Sequence, residues 1–271
     1  MRKSSFTLVV EPICGLCNRM RVVDSALAMT RKVGGNAHII WYSDPDLNCR
    51  FTDLFQPLDR AVRFWQLSLP ACLEKGFKRM THFFLRRMSG CYLQPHEVQQ
   101  MKAAGYDFSE LLAHRFVVLK TWDRFCRPEH RFADFRPVPT LQAIIDRQSA
   151  GLADAVGVHI RRTDCTAAID KSPTEKFIAE MRREVATDPG VRFFVATDDP
   201  REENVLEQAF PGRIRTYRKR TLSRNRRAGI EDAVVDLYCL ARCRKILGSY
   251  QSSFSETAAA LGSLVSAGRP R

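Results

Sequence analysis

Beyond residue 139 the chain alternates short apolar runs with stretches of helical period, and each apolar run ends in a polar cluster. That alternation restricts the fold more than any other feature. The spacing predicts a helix over Leu141–Gln148, a strand over Ala155–Ile160, and a helix over Pro173–Val185 with Ser172 as its cap. Strand Val191–Ala196, helix Glu202–Ala209, short strand Arg213–Tyr217, helix Asp232–Arg242, strand Lys245–Leu247 and helix Ser253–Leu261 follow. Strands alternating with helices form parallel crossover units. The N-terminal half begins the same way, with strand Thr7–Val10, helix Arg19–Val33, strand Ala37–Trp41 and, later, strand Phe116–Leu119. Residues 43–112 carry scattered aromatics and no clear period. Pro128–Pro139 is the linker candidate. The expected fold class is α/β: two Rossmann-like domains, residues 1–135 and 136–271, facing a cleft.

A chain of 271 residues buries enough surface to need no staples. Nine cysteines, an odd number spread along the chain, read as reduced cytosolic thiols. Cys14–Cys17 and Cys239–Cys243 have metal or redox spacing, but the pairs are far apart and the second sits among Leu237, Leu240 and Ile246. They read as small buried hydrophobes, with no metal site. The apolar stretch Phe6–Val10 is shorter than a signal-peptide core, so no export signal is expected. No apolar run reaches the ~20 residues of a membrane span. Lys plus Arg number 43 against 30 Asp plus Glu, a net charge of +13 that favours anionic partners. Eight of the cations crowd into Arg213–Arg227.

The chemistry-bearing residues collect at predicted strand ends, where open parallel sheets bind ligands. His159-Ile-Arg161-Arg162-Thr163-Asp164 offers two arginines able to clamp a phosphate; a surface salt bridge from Arg162 to Asp164 is the plainer reading. Thr197-Asp198-Asp199-Pro200 presents acids for ribose hydroxyls or a metal, or a cap for the next helix, capping being the plainer reading for Asp199. Gly248 to Ser253 places hydroxyls at a helix N-terminus, suited to an anion or to capping. Asp236, among Val234, Val235 and Leu237, is either at a polar helix edge or held by a specific donor. Taken together, and with the turn Gly15-Leu-Cys-Asn18-Arg19, these ends suit a nucleoside diphosphate.

The first cluster resembles the donor-binding motif of the α1,6-fucosyltransferase family within the GDP-fucose transferase superfamily. Phe194 to Pro200 resembles that family's second motif, Val235 to Leu240 its third, and Ser252-Ser253 the serine pair after it. Gly15 to Arg19 is similar to the superfamily's N-terminal turn. The resemblance implies a GT-B fold and an inverting, metal-independent transfer of fucose from GDP-fucose to a glycan or glycolipid hydroxyl. It implies no cofactor, GDP-fucose being the donor substrate. By motif position, His159 and Asp236 contact guanine, Asp198 or Asp199 lies near the nucleoside, and Arg161 binds the β-phosphate. Ser252 or Ser253 assists, and Asn18 faces the same cleft. The N-terminal domain becomes the acceptor side and the C-terminal domain the donor side. After the motif aspartate the family carries a lysine and then a glutamate. Here stand Cys165 and, further on, Asp170, which becomes the candidate base.

Three other readings compete. The charge of Arg213–Arg227 suits a nucleic-acid-binding protein, though only Tyr217 interleaves there as an aromatic. A mobile loop beside the donor phosphates is preferred, so no nucleic acid is expected. A thioredoxin-like use of Cys14 and Cys17 lacks the usual surroundings. A transferase of another GDP-sugar is the third. The expected setting is cytoplasmic, with an acidic membrane surface as a further partner.

Overall fold

The computed structural model describes residues 6–163 and 166–267. Asp164 and Cys165, part of the expected donor motif, lie outside the described residues. The chain divides into two compact units, residues 1–136 with 224–230, and residues 137–223 with 231–271.

The first unit is built on a parallel sheet of β1 (Thr7–Pro12), β2 (Asn36–Ser43), β3 (Val62–Ser68), β4 (Cys91–Leu93) and β5 (Phe116–Thr121), in the order β3-β2-β1-β5-β4. Residue alternation along the strands sorts the two faces. Leu8, Val10, Ile39, Trp41, Val117 and Leu119 are fully buried on one face. Val9, Ile40, Tyr42 and Val118 lie on the other, packed by Phe77 and Leu85 of helix α2 (Ala71–Met88). Helix α1 (Leu16–Val33) follows β1 and stops at Gly34, whose φ of 80° suits a residue without Cβ. The unread stretch 43–112 supplies β3, α2, β4 and helix α3 (Pro95–Ala103). Its period was obscured because α2 turns Glu74, Lys78 and His82 inward and several large apolar residues outward. Lys78 bonds Glu74 and Asp44, and His82 bonds the buried Glu11 at 2.5 Å. The linker candidate also differs from expectation. Phe132 and Phe135 are buried, and the Phe132 amide donates to Asp24 of α1, so most of Pro128–Arg136 belongs to the packed first unit.

The second unit carries a parallel sheet of β6 (Val156–Ile160), β7 (Phe193–Thr197), β8 (Ile214–Thr216) and β9 (Lys245–Gly248), ordered β8-β7-β6-β9. Helices α4 (Pro139–Ser149), α5 (Thr166–Lys171), α6 (Thr174–Thr187), α7 (Pro200–Ala209), α8 (Arg227–Ala241) and α9 (Ser253–Ala267) complete the order. Val156, Val158 and Ile160 point to a core shared with Phe177, Met181, Leu206 and Phe210 of α6, α7 and the residue after α7. Gly157 and His159 point the opposite way. A Cβ on Gly157 would meet Leu240 at 2.9 Å, so the missing side chain lets α8 approach the sheet. The strand order reverses between β6 and β9, and the carboxyl ends of those strands define a switch point.

The basic run is a loop from Tyr217 to Arg226 between β8 and α8, and several of its cations have partners in the fold. Arg213 donates to the carbonyls of Pro189 and Val191, and Arg215 to those of Ala150 and Gln148. Arg220 pairs with Asp232 and Glu231, and Lys219 with Asp236 and Glu203. Helix α8 accordingly begins at Arg227, five residues before the expected start, because Arg226 already accepts the first helical bonds.

Candidate functional site

The polar residues of the second unit gather at the β6/β9 switch point. His159, near the end of β6, is buried by the polypeptide around it. Its Nδ1 lies 2.8 Å from Ser255 Oγ and 3.5 Å from Ser252 Oγ, and its ring stacks on Phe254 at 4.7 Å between centroids. This closeness requires Gly248, where a Cβ would meet Ser255 Oγ at 2.5 Å. Burial pushes the imidazole down to about 4, with Asp198 opposing and the charges of Arg161 and Lys219 assisting, so His159 is neutral at pH 7.

The loop after β6 is held from both sides. The Arg161 amide donates to Ser249 Oγ at 3.0 Å, and that hydroxyl donates to the His159 carbonyl at 3.2 Å. The Arg162 amide donates to Asp198 Oδ1 at 2.7 Å, while the Thr163 amide and hydroxyl donate to Asp198 Oδ2 at 3.3 and 2.6 Å. Asp198 therefore fixes the loop that presents Arg161. Arg162 departs from its expected place at a phosphate. Its guanidinium points into the fold, with Nε 2.7 Å from Glu202 Oε1 and Nη2 3.0 Å from Thr174 Oγ1. Asp199 is the N-cap of α7: it accepts from the Arg201 amide at 3.0 Å and pairs with the Arg201 guanidinium.

At the start of α9, Ser252 is buried, its carbonyl accepts from the Glu256 amide, and its hydroxyl accepts from the Ser255 amide at 3.4 Å. Ser253 is half-buried beside it. Asp170 is exposed on α5. The end of that helix is pinned to the β9–α9 turn, since Ser172 Oγ accepts from the Tyr250 amide at 2.9 Å and Lys171 reaches the Tyr250 hydroxyl. Asn18 is half-buried in the first turn of α1, in the other unit. Arg19 beside it is entirely buried and structural. It donates to the carbonyls of Cys14 and Tyr42 and lies 2.6 Å from Asp44 Oδ1.

Asp236 settles the choice left open by sequence: a donor holds it. It is buried on α8, with Lys219 Nζ 3.1 Å from Oδ2. Lys219 also lies 3.4 Å from Glu203. Oδ1 is buried and makes no hydrogen bond. Burial pushes the carboxyl up to about 7 despite the opposing Lys219 charge. Lys219, Ser249 and Ser255 were missed by sequence reasoning. Lys219 is one cation among eight in its run, and nothing local singles it out.

Cys239 and Cys243 follow the hydrophobic reading in their chemistry. Burial pushes both thiols up to about 12, away from the thiolate that binds metal. Among the described residues no group of three or more His, Cys, Asp or Glu is placed to hold a metal ion.

The fold these elements build is that of GDP-fucose-dependent fucosyltransferase structures, an α/β, GT-B-like architecture with parallel sheets. The chain is similar to NodZ alpha-1,6-fucosyltransferase soaked with GDP-fucose, with a TM-score of 0.67 and 18% identity over 95% of this chain and 92% of that one. It is similar to fucosyltransferase NodZ from Bradyrhizobium, with a TM-score of 0.64 and 16% identity over 94% and 93%. POFUT1 in complex with GDP gives a TM-score of 0.59 and 12% identity over 96% and 95%. No family model matches the sequence, and no curated protein matches it.

Proposed function

We propose that the chain is an inverting, metal-independent glycosyltransferase that moves fucose from GDP-fucose to a hydroxyl of a glycan or glycolipid. The observation that carries this reading is the buried, unpartnered Oδ1 of Asp236 near the switch point of a fold whose solved examples hold GDP or GDP-fucose. Guanine offers N1–H and the N2 amino group on one edge, the pair of donors that a carboxylate accepts, whereas adenine has no N2 donor. The charge of Lys219 acts on neutral His159 as well as on Asp236, which supports a shared role for the two.

In this reading Arg161 binds the β-phosphate, and Ser252 and Ser253 support the pyrophosphate from the start of α9. Asp198 and Arg162 act as positioning residues, and Asp199 as a cap. The bond between the fucose anomeric carbon and the β-phosphate oxygen breaks, and its electron pair leaves with GDP. Arg161 stabilises that charge with a planar, bidentate fork. The acceptor oxygen forms the new bond from the opposite face, and its proton passes to Asp170.

Calorimetry with GDP, GDP-fucose, GDP-mannose and ADP tests the proposal. GDP and GDP-fucose are expected to bind and ADP to fail. Absence of GDP binding at millimolar concentration overturns the donor assignment, and equal affinity for GDP-mannose and GDP-fucose overturns the sugar. The nucleic-acid alternative loses its main support, because Arg213, Arg215, Lys219 and Arg220 already have protein partners. A cytoplasmic, membrane-peripheral setting accompanies the proposal; no helix among the described residues is long and apolar enough to cross a membrane.

A further inference from the structure

Helix α2 is turned inside out. At 100° per residue, Leu73, Met80, Phe83 and Phe84 fall within an arc of about 100°, and that arc faces away from the sheet. These four side chains and Met88 each leave more than half of their surface exposed. The inward arc carries Glu74, Lys78 and His82 beside Phe77 and Leu85, and none of the helix's described side chains is fully buried. Polar pairs join Phe77 and Leu85 in tying α2 down: Lys78 to Asp44, and His82 to Glu11, which Lys120 also holds at 3.0 Å. Burial alone would raise the Glu11 carboxyl, but His82 and Lys120 outweigh it and hold it below the ordinary value.

The charges on the outer surface share one sign. Lys75, Arg79, Arg86 and Arg87 are exposed, and the helix's one acid, Glu74, is bonded to Lys78 at 2.6 Å. Lys75, Arg79 and Arg86 fall within about 40° of each other, along one flank of the apolar arc. A second copy seated on this face would set four cations against four. A surface that is apolar below and anionic above complements both halves of the pattern.

We infer that α2 is an interfacial helix that lies flat on an anionic lipid bilayer. Its Leu, Met and Phe side chains enter the headgroup–acyl boundary, and the lysine and arginine stems reach back to the headgroups. The inference stands apart from the donor reading, since it uses none of the switch-point residues.

Flotation of the full chain with vesicles tests it. Vesicles of phosphatidylcholine with phosphatidylglycerol are expected to capture the protein at least about tenfold better than phosphatidylcholine alone, with release by salt. Phe83→Ser with Phe84→Ser, and separately Arg79→Glu with Arg86→Glu, are expected to lower capture about tenfold. GDP affinity and circular dichroism should be unchanged, since all four side chains are exposed. Met80→Gln, a milder change in the same arc, serves if the double variant misfolds. Failure of the wild-type chain to bind anionic vesicles overturns the inference. So does capture that these variants leave intact, or a dimer in solution that Phe83→Ser with Phe84→Ser dissociates.

Discussion

Lys219 Nζ lies 3.1 Å from Asp236 Oδ2, and the other oxygen of that buried carboxylate has no partner. A cation this close ordinarily keeps a carboxylate ionised, yet burial outweighs it and holds Asp236 near 7. The lysine satisfies one oxygen, and under the proposed function the other accepts from guanine.

GDP binding should depend on pH with a definite sign. Without ligand, Asp236 is largely protonated below about 7. Guanine donors favour the ionised form, so binding lowers the carboxyl's proton affinity and releases a proton below that pH. Affinity is expected to rise as pH increases toward 7 and then level off. Calorimetry in buffers of different ionisation enthalpy reads the proton directly. Asp236→Asn should abolish the pH dependence and weaken GDP at pH 8 by about tenfold or more.

Arg161→Ala should cut turnover by about 10²–10³ while leaving thermal stability nearly unchanged, because the loop is anchored through backbone amides to Ser249 and Asp198. Arg161→Lys should fail to restore turnover, since a point charge does not reproduce the fork. Kinetics with matched melting curves check both.

Its neighbour should behave in the opposite way. Arg162→Ala strips the partner from Glu202 in a pair whose side chains are 10% and 12% exposed. The expected cost is about 3 kcal/mol, read as a lower denaturant midpoint. Simultaneous Arg162→Met and Glu202→Leu should recover most of that loss.

His159 supplies an acid-sensitive term. Its folded-state value of about 4 lies below the unfolded 6.5, so the unfolded chain binds the extra proton between those limits. Stability from this residue is intact above 6.5 and is lost as pH falls toward 4, by on the order of 3 kcal/mol. Asp236, raised above 3.8, works with the opposite sign across the same window. His159→Gln should therefore flatten the acid limb of a pH–stability curve measured in the Asp236→Asn background.

The second unit was legible because its central strands β6 and β7 are buried along their whole length and read as mainly apolar runs, with His159 to Thr163 and Asp198-Asp199 at their ends. The first unit was less legible from Ser43 to Leu112. There α2 reverses the usual pattern, and β4 is three residues long. Asp236 was singled out as a carboxylate among apolar neighbours. Its partner Lys219 was not, since pairing across 17 positions has no local mark. Arg162 was misplaced for a similar reason: two adjacent arginines look equivalent in sequence, and only Glu202 and Thr174 distinguish them.

The chain passes between its two units three times, near 136, 223 and 230. The returning segment is fastened to the first unit: the Asn48 amide donates to the Arg224 carbonyl at 3.1 Å, and Arg227 lies 3.0 Å from Asp53. Helix α8 thus starts in one unit and carries Asp236 in the other. Severing the polypeptide at the proline-rich joint would leave seven residues of the N-terminal half on the C-terminal fragment. Neither piece expressed alone would be whole, and reconstitution would call for both fragments in the same cell.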